Sequence, residues 1–157
     1  MKRLVIFLLL LLIPSSVVSC SREVKMEHCE LGITLSRDFE EVSDSDYDVA
    51  YSDGELVVGF TRISFAAAAN EGIPASLSEI AFARLYADKV GISRDKILEY
   101  GEFNYITLKL DNGYRSTEVF LRTPYAYFIV SFVHRDGGGW NLEKTLKLLS
   151  DIYLIDN

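Results

Sequence analysis

Asp44, Asp46 and Asp48 stand at alternate positions, and Glu55 follows eleven residues after the first of them. These are places 1, 3, 5 and 12 of a calcium-binding loop, where hard oxygen ligands surround a divalent cation. Position 6, however, is Val49 where such a loop turns on glycine, position 8 is Tyr51, and no helical pattern flanks the segment. A solvated acidic loop running into a hairpin is the stronger reading. Cys29 beside His28 offers a metal pair, but with no CxxC and only one other histidine, His134, it falls far short of a zinc set. No cofactor is implied. A nucleophile system lacks its parts too, with neither a GxSxG elbow nor a Cys/His signature. Gly137-Gly138-Gly139 lacks phosphate-loop spacing and reads as a hinge. Aromatic residues remain as a candidate binding surface. Phe103 and Tyr105 share one strand parity, and Tyr114 and Phe120 share another across Asn112-Gly113. Exposed, the four would mark a docking patch; the alternative is packing under a helix or as cross-strand pairs.

The thiol of Cys20 suggests different chemistry. Lys2-Arg3, ten apolar residues from Leu4 to Ile13, a Pro14-Ser15-Ser16 break and then Val17-Val18-Ser19-Cys20 make a secretory signal. The apolar run is too short to span a bilayer, which takes roughly 20 residues. Val17-Val18-Ser19-Cys20 resembles the lipobox of bacterial lipoproteins. That resemblance implies loss of residues 1–19, a diacylglyceryl thioether on Cys20 and a tether over residues 20–30. The domain then sits outside the cytoplasm, partnered with a lipid bilayer through two acyl chains that give the stable anchoring one chain cannot. Ser21 is not the aspartate that retains lipoproteins at the inner membrane in many Gram-negative bacteria, which favours an outer membrane. Val17 and Ser19 also suit ordinary signal peptidase, whose cut before Cys20 would release a soluble protein.

Removing residues 1–19 from the 157 leaves 138, enough for one domain over residues 31–157 with a single core. Loss of Lys2 and Arg3 takes the formal charge from −7 to −9. Such a surface is repelled by nucleic acid, and no Lys/Arg cluster offsets it. With Cys20 acylated, Cys29 has no disulfide partner in the chain and the core alone holds the fold; unlipidated, the two cysteines could bridge.

Hydropathy divides the domain into elements. Ile33 and Leu35 alternate in a first strand, and Asp53-Gly54 marks a hairpin between Val49-Tyr51 and Leu56-Phe60. Phe65 to Ala75 reads as irregular. Ser76-Leu77-Ser78-Glu79 fits a capping box for a helix ending near Val90, before Gly91. Its two apolar stripes predict cover on more than one side, and Arg84 and Asp88 mark a polar seam. A meander follows: Tyr105 to Leu110, the Asn112-Gly113 turn, Thr117 to Arg122, then Tyr127 to His134. This last run is apolar at both parities and should be central. Asn141 caps a final helix with Leu142, Leu146 and Leu149 on one face, and Ile152 to Ile155 adds a short strand.

This order, carried by Gly32 to Phe39, Ser76 to Val90 and Asn112 to Phe132, is similar to the PsbP-like and DcrB-like superfamily of extracytoplasmic domains. The resemblance implies an α+β fold, an antiparallel sheet of about six strands between helices in an α/β/α sandwich, and it brings no catalytic residues. The expectation is a lipid-anchored binding or assembly-support domain, not an enzyme, with an envelope protein as a possible partner. A cell-envelope hydrolase and a structural envelope protein are the rival readings.

Overall fold

Strand β9 (Ala126–Arg135) is the apolar run at both parities, and in the computed structural model it is the centre of the molecule. Phe128, Val130 and Phe132 point to one side of the sheet, Tyr127 and Ile129 to the other, and all are buried. The structure describes residues 23–43 and 45–155. Residues 1–19, Cys20 and Asp44 therefore lie outside the described residues. Among those described, ten strands form two antiparallel sheets with three α-helices, and no helix is long and apolar enough to cross a membrane.

The larger sheet has the order β3-β4-β5-β9-β8-β7-β6. Its strands are β3 (Glu40–Glu41), β4 (Val49–Ser52), β5 (Leu56–Ser64), β6 (Leu98–Tyr100), β7 (Phe103–Lys109), β8 (Tyr114–Arg122) and β9. The smaller sheet runs β1 (Glu23–His28), β2 (Leu31–Ser36), β10 (Ile152–Leu154). It packs with helix α3 (Leu142–Leu148) on one face of the large sheet, where Leu31, Ile33 and Leu35 meet Val58, Phe60, Phe128, Val130 and Phe132. Helices α1 (Phe65–Asn70) and α2 (Glu79–Lys89) lie on the other face.

The α+β antiparallel architecture read from the sequence is the one observed, with a second sheet added to the helical cover. Several local expectations need correction. The tether expected over residues 20–30 is folded from Glu23 onward, because Val24 and Met26 alternate and pair across Leu35 and Ile33 of β2. The Phe65 to Ala75 stretch contains α1, since its alanine run favours helix and the Ser64 hydroxyl accepts from the Ala67 amide at 3.1 Å. Ser78, not Ser76, caps α2: its hydroxyl accepts from the Ala81 amide, while the Leu77 amide is drawn into a turn onto the Pro74 carbonyl. Only one face of α2 is buried, through Phe82, Ala83 and Ala87. Asp88 pairs with Arg94 rather than Arg84. Leu142 at the start of α3 is left exposed while Leu149 is buried. The Asp53-Gly54 turn, the Asn141 cap and the terminal strand are as read.

Candidate functional site

Phe82 fixes α2 to the sheet. Its ring stacks on Tyr127 at 4.4 Å and meets Phe120 edge-on at 6.0 Å. The Tyr127 hydroxyl donates to the Pro74 carbonyl at 2.7 Å, which ties the segment before α2 to the same spot. Docked there, α2 stands away from α1, and the gap between them is a cavity of about 610 Å³. Thr61, Ile63 and Ile129 form its floor. Phe82, Leu85 and Tyr86 make the α2 wall, with Ala67 and Ile73 opposite. At the mouth, Lys89 pairs with Glu71 at 3.2 Å; Arg62 borders the cavity, but its guanidinium turns to the small-sheet face, held by the Glu30 carboxylate through Nε at 2.9 Å and Nη2 at 2.7 Å. An apolar cavity of this size with a few polar groups at its edge has the form of a small-molecule site.

One residue row further along the sheet the surroundings change. Gly59, Ser131, Glu118 and Ile106 face one another across β5, β9, β8 and β7. The Glu118 carboxyl is buried, accepting from the Ser116 hydroxyl on one oxygen and from Ser131 at 2.5 Å on the other. Tyr47 covers the row from the acidic loop; its ring lies so close over Gly59 that a Cβ there would overlap it. Tyr86 closes in from α2. Burial pushes the pKa of the Glu118 carboxyl up, against the lowering effect of the two serine hydroxyls. Burial, and then the charges of Glu118 and Tyr47, push the Tyr86 phenol up to about 12, and burial with Glu118 raises Tyr47. No cation is paired with Glu118 among the described residues.

The candidate aromatic surface does not assemble. Phe103 is half-buried and Tyr105 buried on the small-sheet side, Phe120 is buried beneath α2 on the opposite side, and Tyr114 is exposed at the start of β8. Strand pairing separates them, since odd and even positions of β7 and β8 face different layers. Asp48 is spent on structure: its carboxylate accepts from the Arg62 amide at 2.6 Å and lies 3.8 Å from His28 Nε2. Asp46 is exposed and Glu55 sits at the far end of the β4–β5 hairpin, against Gly139. No group of three or more His, Cys, Asp and Glu among the described residues is placed to hold a metal. Cys29 is an exposed free thiol. His134 is buried on the face opposite Ser131, with Nδ1 3.1 Å from the Arg135 carbonyl, so no serine–histidine pair forms there.

Glu118, Ser131, Tyr47 and Tyr86 were not legible as a site. Glu118 reads as the polar member of an alternating strand. The signal is Ser131, a hydroxyl inside a strand otherwise apolar on both faces, which requires a polar partner from a neighbouring strand.

No family model and no curated protein matches the chain. A crystal structure of a protein from Bacteroides thetaiotaomicron VPI-5482 is similar in fold, with a TM-score of 0.56 at 12% sequence identity. The likeness covers 85% of this chain and 48% of that one, so the chain spans about half the length of the structure it matches.

Proposed function

We propose that the protein is a lipid-anchored extracytoplasmic binding domain whose ligand enters the cavity between α1, α2 and the large sheet. The supporting observation is that cavity: about 610 Å³, with Ile63 and Ile129 in its floor and Phe82 and Leu85 in its wall, suited to an alkyl chain or similar apolar group. The lipobox-like Val17-Val18-Ser19-Cys20 supplies the anchor. Binding, not catalysis, fits hydroxyls that are buried and consumed by Glu118.

The test is a methyl NMR titration of the anchored protein in nanodiscs, with empty discs correcting for ligand taken up by lipid. 1-Octanol should shift the Ile63 and Ile129 methyl signals saturably. Ala67→Phe, which fills the cavity from an exposed helix position, should weaken binding by about ten-fold or more, the loss of a few buried methylenes. Absence of a saturable shift at those two methyls would end the pocket reading. The anchor is tested separately. Cys20→Ser should remove the protein from the detergent-soluble membrane fraction as a lipidated species, and unchanged partitioning of a cleaved Cys20→Ser protein would contradict it.

A further inference from the structure

We infer that the ligand of this cavity carries a protonated amine at the end of its apolar part, and that Glu118 is the group that receives it. The inference rests on the pocket reading above and names the ligand's polar end. Three observations lead to it.

The first is charge accounting. At the mouth of the cavity Lys89 is cancelled by Glu71, and Arg62, turned to the small-sheet face, is cancelled by Glu30. Glu118 is buried and has no opposite charge beside it among the described residues; its partners are the neutral hydroxyls of Ser116 and Ser131. A buried carboxylate satisfied only by hydroxyls still lacks a counter-charge, and an incoming cation supplies one.

The second is distance. Ile129 in the cavity floor and Ser131 on Glu118 lie on the same face of β9 two residues apart, a rise of about 7 Å. A chain seated on Ile129 and Ile63 therefore points its terminal group along the sheet face toward Glu118, which it reaches when the Tyr86 side chain gives way. Tyr86 is the shared wall, lining the cavity and standing close enough to Glu118 for the carboxylate to act on its phenol.

The third is the kind of wall. Tyr86 and Tyr47 flank the carboxyl, and aromatic faces attract ammonium groups. An anionic head would meet ionised Glu118 as a like charge. An alcohol would gain a hydrogen bond but no charge. Ionised Glu118 with a primary ammonium makes a charge-assisted pair in a dry setting, where such pairs are strongest.

The experiment compares octylamine, 1-octanol and octanoate by the same Ile63 and Ile129 methyl shifts, on the wild-type chain and on Glu118→Gln. Octylamine should bind about ten-fold or more tightly than octanol, and octanoate most weakly. Glu118→Gln should bring octylamine to the level of octanol. A measurement without any variant gives the same answer: octylamine affinity should rise with pH as Glu118 ionises, and octanol affinity should stay flat. An amine preference that survives Glu118→Gln undiminished reflects the general acidity of the chain and overturns the inference, as does tighter binding of octanoate. Octanol failing to bind at all would instead sink the pocket reading beneath it.

Discussion

Two adjacent rows of the large sheet, one residue apart, show how differently its faces are built. Facing the small sheet and α3, the row Phe60, Val130, Val119, Tyr105 is hydrophobic from β5 to β7. Facing α2, the next row is Gly59, Ser131, Glu118, Ile106. The first row could be read by any rule that places apolar side chains inside. The second buries a carboxyl, a hydroxyl and a vacant Cβ position side by side, which costs stability unless the carboxyl is hydrogen-bonded, as it is by Ser116 and Ser131, and the space over Gly59 is filled, as it is by Tyr47. The face that holds the fold together and the face that carries the site are thus opposite sides of the same strands, and mutations should separate them.

The largest effect belongs to the closed face. Phe132→Ala removes a wholly buried ring and should cost about 3–5 kcal/mol, measured by denaturant unfolding, whereas exposed Lys109→Ala should stay within about 0.5 kcal/mol. Equal losses would mean that β9 does not carry the core. On the site face, Gly59→Ala forces the Tyr47 ring off the sheet and should cost about 1–3 kcal/mol. The same change should open Glu118 to water, visible as faster hydrogen exchange in β9. A neutral Gly59→Ala would show that Tyr47 is not seated there.

Glu118→Gln should act in the other direction. Because burial raises the folded-state pKa, the native protein holds the Glu118 proton more tightly than the unfolded chain does. That contribution is full below the unfolded carboxyl's pKa and is lost as pH rises through the folded value. The glutamine variant keeps the shape and cannot ionise, so its melting temperature should exceed the wild-type value at pH 8 and converge with it at pH 4. An identical pH profile for both proteins would remove Glu118 as the source of the slope.

Most of the closed face was legible in the chain, and the reason is physical. The two-sided apolar run of β9, the Asp53-Gly54 turn and the Asn141 cap each express a local requirement that a few adjacent residues satisfy. The site face depends on residues far apart in sequence, with Tyr47, Gly59, Tyr86, Glu118 and Ser131 arriving from five elements, and none of them is unusual in its own neighbourhood. Strand β1 was obscured for another reason. The alternation of Val24 and Met26 is present, but a segment just after a lipobox-like cysteine invites a tether reading.

The smallest expected effect decides whether β1 is part of the closed face or a frayed extension of the anchor. Cys29 adopts a φ of 54°, the left-handed region, at the first position of the two-residue turn between the paired His28 and Leu31. A side chain there costs about 1–2 kcal/mol relative to the right-handed region, and glycine avoids this while losing more entropy on folding. Cys29→Gly should therefore add about 0.5–1 kcal/mol, but only if the β1–β2 hairpin forms and melts with the rest of the domain. If β1 opened on its own, the gain would appear as slower amide exchange within Val24 to His28 and leave the global unfolding midpoint unmoved. A raised midpoint in denaturant, equal by circular dichroism and by Trp140 fluorescence, is the expected outcome, because Met26 and Leu31 are buried in the same core as Phe60 and Phe132.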